Sequence, residues 1–128
     1  MENWELWRPR GCENVDKSIG EFYRIEATGW GLSIELKFVT GLMRMSFRKV
    51  LAYRTHLEEC VPDIWIKIHS QGFAQNSFLE VKNSDWISAL NVTGGLALYS
   101  NARHFSLVTE ENFIEILTEE EPLIIWEF

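Results

Sequence analysis

Apolar and polar residues alternate along much of this chain, and the alternation is clearest near its middle. Residues 32–38 carry an apolar side chain at every second position, and residues 43–47 repeat the pattern after a short break that contains Gly41. Side chains of a strand point to opposite faces in turn, so each segment is predicted to be a half-buried strand. Two such strands joined by a short glycine-containing break predict a β-hairpin.

Shorter stretches of the same kind predict further strands. They are expected over residues 23–27, 50–55, 64–68, 78–81 and 113–117, from Phe105 onward, and over the final apolar run 123–126. A turn is predicted at residues 110–112, and Pro122 interrupts the chain before the last strand.

One segment has helical spacing instead. Trp86 begins a series of apolar residues at positions i, i+1 and i+4, and Asn83 or Ser84 can cap the first turn. Gly94-Gly95 provides a natural end. A short helix is therefore predicted near residues 84–92, and the segment from Val15 to Glu21 is the candidate for a second one.

These elements together predict an α+β fold, built predominantly of antiparallel β-sheet with one or two short helices. The chain has 128 residues, close to the commonest domain size, and no repeat or glycine-rich linker divides it. A single domain over residues 1–128 is expected. Without a signal peptide or an apolar run of about 18 residues, a cytoplasmic location without membrane association is expected.

Motifs for metal, cofactor or nucleophile chemistry are missing from the sequence. The three histidines and two cysteines show no close zinc-ligand spacing, although Cys60 lies four residues after His56. That region is predicted to be a strand leading into a loop, where the spacing does not chelate. No phosphate-binding loop or nucleophile elbow occurs. We therefore expect no catalytic residue, no metal and no cofactor.

His104 leaves two interpretations open. It could be the general base of a small hydrolase or ligand-binding enzyme that uses nearby carboxylates, in which case a deep pocket should reach it. It could instead be a partly buried histidine at the start of a strand. We prefer the second interpretation, because no nucleophile stands in a recognisable setting.

The distribution of charge is the most informative feature. The formal net charge is −7. No Lys or Arg follows Arg103, and residues 1–103 contain equal numbers of acidic and basic residues. The excess acids therefore lie in the last 25 residues, between strand-forming residues that predict folded structure. Such a surface either serves solubility alone or docks a basic partner. Basic residues are scattered singly, which disfavours nucleic-acid binding.

If the acidic segment is a docking face, it has definite members. Trp86 is the first candidate for an aromatic anchor, since tryptophan is enriched at interface hot spots, although core packing is its alternative role. The predicted partner-binding residues are Asp85, Trp86, Glu110, Glu111, Glu115, Glu119, Glu120 and Glu121.

The order of three segments resembles a known group of proteins. The alternating GLSIELKFVTGLMRMSFRKVLAYRTHLEE is followed by FLEVKNSDWISAL and then by HFSLVTEENFIEILTEEEP. This order is similar to small bacterial immunity proteins of toxin–immunity systems, including those of contact-dependent growth inhibition. The resemblance implies a cytosolic protein that is not an enzyme and that blocks the active-site cleft of one cognate toxin, often a nuclease. It carries over no site residues.

A third hypothesis concerns the final apolar run. A subunit or chaperone-like component could associate through residues 123–126. It would be disfavoured if the chain were a monomer with that strand buried in its own sheet.

Overall fold

A computed structural model of the chain describes residues 2–13 and 19–128. Its strands are β1 (Asn3–Leu6), β2 (Glu21–Thr28), β3 (Gly31–Phe38), β4 (Gly41–Phe47), β5 (Ala52–Leu57), β6 (Phe78–Lys82), β7 (Arg103–Val108), β8 (Asn112–Thr118) and β9 (Leu123–Glu127). Its helices are α1 (Pro62–Ser70) and α2 (Asp85–Val92), and one 3₁₀ turn spans Glu58–Cys60. Neither helix of these residues is long and apolar enough to cross a membrane.

The strands form two antiparallel sheets. One has the order β1-β6-β7-β8-β5 and the other has the order β2-β3-β4-β9. The predicted α+β class with predominantly antiparallel sheet is confirmed. Most segments predicted as strands lie in these elements, and the apolar run 123–126 is the edge strand β9, paired with β4. The exception among the strand predictions is the segment 64–68.

The main core lies between the two sheets. Alternation along each strand turns one apolar face inward, so that side chains of β3 and β4 meet those of β7 and β8. The residues that are completely buried there include Ile34, Leu36, Met43, Met45, Phe105, Leu107, Ile114 and Ile116. The predicted hairpin of β3 and β4 is confirmed, with Ile34 opposite Met45.

Gly41 shows why this hairpin needs a glycine. Its φ is 155°, and a Cβ built on it would lie 2.6 Å from the carbonyl oxygen of Glu127. A side chain at this position would therefore push β9 away from β4. The glycine permits the close approach of the last strand.

The segment 64–68 is a helix and not a strand, so that prediction is wrong. Pro62 opens α1 and Asp63 lies in its first turn, both of which favour a helix start. Ile64, Trp65 and Ile68 share one face, while Ile66 is 61% exposed. A short run of alternating branched residues fits both the two-residue period of a strand and the 3.6-residue period of a helix. Packing on the sheet selects the helix.

The helices lie on the second face of the five-stranded sheet. Ile68 of α1 packs among Trp4, Leu79, Val81 and Phe113. This sheet is thus covered on both faces, which the alternating pattern did not predict. Strand β1, which carries Trp4, was also not predicted.

Helix α2 is confirmed, together with its cap. The Ser84 hydroxyl accepts a hydrogen bond from the backbone N–H of Ile87 at 3.1 Å. The other predicted helix begins at Val15, and its positions 15–18 lie outside the described residues. Its last position, Glu21, begins β2.

Candidate functional site

Glu115 is a predicted partner-binding residue that the fold buries. It belongs to β8, and its side chain points to the helix-covered face of the sheet, where it is only 3% exposed. Its carboxylate accepts hydrogen bonds from Arg54 Nε at 2.7 Å and from His104 Nε2 at 2.8 Å. The prediction of Glu115 as a surface contact is wrong, because the polar side of this alternating strand is itself covered.

The remaining acids of the C-terminal segment separate into two groups. Glu110 and Glu111 precede β8, whereas Glu119, Glu120 and Glu121 follow it. A strand rises about 3.3 Å per residue, so the two groups stand on the order of 25 Å apart. The predicted acids therefore do not form one continuous face.

The group that follows β8 is largely engaged within the chain. Glu120 pairs with Arg48 at 2.9 Å, and Glu121 pairs with Arg103 at 2.8 Å and accepts from the Trp7 indole at 3.2 Å. The hydrogen bond from Arg48 lowers the pKa of Glu120. These carboxylates stabilise the junction of the two sheets and offer little uncompensated charge to a partner.

Glu110 and Glu111, which precede β8, lie beside other acidic residues. Strands β5 and β8 pair antiparallel, and the Glu58 N–H donates to the Glu111 carbonyl at 2.8 Å. This pairing places Glu58 and Glu59 beside Glu110 and Glu111. Within the part of the chain that the structure describes, no Lys or Arg lies within 4.0 Å of any of these four carboxylates.

The four acids border an open depression that we call the acidic cleft. Its volume is about 470 Å³, and it is lined by Leu57, Glu58, Glu59, Pro62, Trp65, Glu110 and Glu111. Trp65 is held in place by stacking on Phe113, with ring centroids 6.2 Å apart. The cleft thus combines a fixed aromatic surface with concentrated negative charge, which are the features of a site for a basic, partly apolar protein segment.

Sequence reasoning missed half of this cleft. Glu58 and Glu59 are not among the predicted partner-binding residues, and Trp65 lies in the segment 64–68 that the alternation wrongly predicts to be a strand. The signal that could have found them is the pairing of β5 with β8, which brings the end of one beside the start of the other.

A second cluster surrounds His104, which is 1% exposed. The Ser84 Oγ lies 2.7 Å from its Nδ1, and Glu115 Oε1 lies 2.8 Å from its Nε2. Burial would raise the pKa of Glu115, but the hydrogen bonds from His104 and Arg54 outweigh it and lower the pKa to about 2. The ionised carboxylate accepts only, so the hydrogen-bond network places a ring proton of His104 on Nε2. In the tautomer whose Nδ1 carries no proton, Nδ1 accepts from the Ser84 hydroxyl.

Trp86 belongs to this second cluster, whereas its neighbour Asp85 does not. The Trp86 ring lies 4.0 Å from the Arg54 guanidinium carbon and meets His104 edge-on, with 5.4 Å between ring centroids. Trp86 is half-buried over these side chains, and Asp85 is exposed at the start of α2. The structure therefore joins Trp86 to His104 and Glu115, and leaves the acidic cleft to other residues.

No three His, Cys, Asp or Glu side chains of residues 2–13 and 19–128 gather in a way that could hold a metal ion. Comparisons of the chain with protein-family models, with curated proteins and with solved structures give no match.

Proposed function

We propose that this protein binds a basic protein partner at the acidic cleft and acts as an immunity protein that neutralises a cognate toxin. The observation that carries the proposal is the convergence of Glu58, Glu59, Glu110 and Glu111 without a neighbouring Lys or Arg among the described residues. This uncompensated negative charge attracts a cationic partner surface, and the ion pairs that form contribute to binding.

The apolar part of the lining of the acidic cleft favours a protein partner over a free cation. Trp65 and the half-exposed Leu57 supply apolar area that a small ion would leave in contact with water. A basic loop with an aliphatic or arginine side chain covers Trp65 and Leu57 and also contacts the surrounding carboxylates. Arginine in addition stacks on indole rings.

The toxin assignment rests on the resemblance in sequence order and on electrostatic complementarity. A nuclease active site carries clustered positive charge, since phosphate contacts require it. An inhibitor with a local excess of carboxylates can occupy such a cleft and exclude nucleic acid. The mechanism is stoichiometric blockade and needs no catalytic residue in this chain.

Growth rescue tests the proposal. The protein encoded by the neighbouring reading frame is expressed in a host where it stops growth, and this chain is coexpressed with it. The wild type should restore growth, and Glu110→Lys/Glu111→Lys should not. The control Glu26→Lys/Glu127→Lys makes the same change in net charge at exposed strand positions and should protect like the wild type. Equal protection by all three proteins, or a neighbour that is harmless, would contradict the proposal.

A further inference from the structure

Ser84 occupies a strand–turn–helix junction. Strand β6 ends at Lys82 and α2 begins at Asp85, so only Asn83 and Ser84 connect them. Asn83 has a φ of 54°, the only positive value among the described non-glycine residues. This left-handed residue turns the chain sharply, and the Ser84 side chain is directed toward β7, where His104 lies.

The contacts of Ser84 match those of an activated nucleophile. Its Oγ is 2.7 Å from His104 Nδ1, and the opposite ring nitrogen is 2.8 Å from the Glu115 carboxylate. Arg54 holds that carboxylate through two hydrogen bonds, at 2.7 and 3.3 Å. A hydroxyl, a base within hydrogen-bond reach and a third group that orients the base form the arrangement used in nucleophilic catalysis.

A groove of about 280 Å³ opens onto this group. Its lining includes Ser84, Ser88, Arg103 and His104, and Ser84 keeps 5% of its surface exposed. The volume suits a short acyl group and not a large substrate. A deep pocket was expected only if His104 were the general base of an enzyme; the groove that reaches His104 is small and open, so it has room for a short acyl group alone.

We propose that Ser84 is a catalytic nucleophile for acyl transfer from small esters, with His104 as its base. Ser84 Oγ bonds to the ester carbonyl carbon, and its proton moves to His104 Nδ1. Collapse of the tetrahedral adduct breaks the bond to the leaving alcohol, which takes the proton from His104. Water then gives a proton to His104, attacks the acyl–serine and releases the acid, while the proton returns to Ser84. Glu115 is a positioning residue that acts through His104.

Labelling with a fluorophosphonate probe tests the nucleophile. The wild type should be labelled, and peptide mass spectrometry should place the label on Ser84. Ser84→Asn should lose labelling, since asparagine retains a capping side chain but not the hydroxyl. Ser88→Ala lines the same groove and should be labelled like the wild type. A wild type without label, or a label that survives Ser84→Asn, would overturn the proposal.

Hydrolysis of p-nitrophenyl acetate tests the base. His104→Gln should lower the rate by about 100-fold or more, the usual contribution of general-base catalysis. Glu115→Gln should lower kcat even after the rate is divided by the folded fraction measured by circular dichroism, which a loss of structure alone would not do. If His104→Gln hydrolysed the ester at the wild-type rate, the assignment of His104 as the base would be overturned. Glu110→Lys/Glu111→Lys should hydrolyse the ester normally, so failure of this activity and failure of partner binding are distinguishable.

Discussion

His104 and Glu115 form a buried hydrogen bond across the β7–β8 pair, with Nε2 2.8 Å from Oε1 and with both residues no more than 3% exposed. They are not directly opposite in the register, since His104 faces Leu117 and Glu115 faces Ser106. The contact is diagonal and connects neighbouring positions on one face. A buried carboxylate needs compensating partners, and here His104 and Arg54 provide them.

Removal of the Glu115 charge should destabilise the fold. Glu115→Gln leaves Arg54 without its carboxylate, and we expect the free energy of unfolding to fall by about 2–3 kcal/mol, below the full cost of a broken buried pair because the Arg54 side chain is 39% exposed. Urea denaturation measures it. The control Glu26→Gln breaks an exposed pair with Arg24 and should cost under about 1 kcal/mol. Equal losses would contradict the structural role of Glu115.

Acid should weaken the fold through the same residue. The pKa of Glu115 falls from 4.5 to about 2 on folding, so its contribution is present above pH 4.5 and is lost as the pH falls toward 2. The corresponding free energy is about 3 kcal/mol. Unfolding free energies measured between pH 5 and 2 should fall less steeply in Glu115→Gln. Part of the slope should remain, because the hydrogen bond from Arg103 also lowers the pKa of Glu80.

The helical assignment of residues 64–68 has its own test. In α1, Ile68 is completely buried while Ile66 is 61% exposed, whereas in a strand the two side chains would share a face. Ile68→Ala should cost about 3 kcal/mol of unfolding free energy, and Ile66→Ala should stay within about 0.5 kcal/mol. Similar losses in thermal or urea denaturation would favour the strand.

The two cysteines should react at different rates. Burial, with a smaller contribution from Glu13, raises the pKa of Cys12 to about 12, and its side chain is 2% exposed. Cys60 is exposed. A thiol reagent at pH 8 should therefore modify one cysteine of the native protein quickly, and the second only in denaturant. Rapid modification of both thiols without denaturant would place Cys12 outside the core.

The hairpin of β3 and β4 and the cap of α2 could be predicted because each depends on neighbouring residues. The alternation in β3 and β4 and the Ser84 cap need no knowledge of distant strands. Glu115 shows the limit of prediction from a local pattern. Its place in the alternation defines the face of the sheet on which it lies, but the alternation does not say whether helices cover that face. The acidic cleft depends on the pairing of β5 with β8, about 55 residues away along the chain. No local pattern contains that pairing, so Glu58 and Glu59 were not predicted as members.

Calorimetric titration against the purified product of the neighbouring reading frame, repeated at several salt concentrations, tests the central claim most directly. The wild type should bind more weakly as salt rises, since exposed charges are screened over about 8 Å at 0.15 M. Glu110→Lys/Glu111→Lys should bind at least tenfold more weakly at low salt, with a smaller salt dependence, and Glu26→Lys/Glu127→Lys should match the wild type. A Glu110→Lys/Glu111→Lys protein with the affinity and salt dependence of the wild type would contradict the assignment of the acidic cleft as the partner-binding surface.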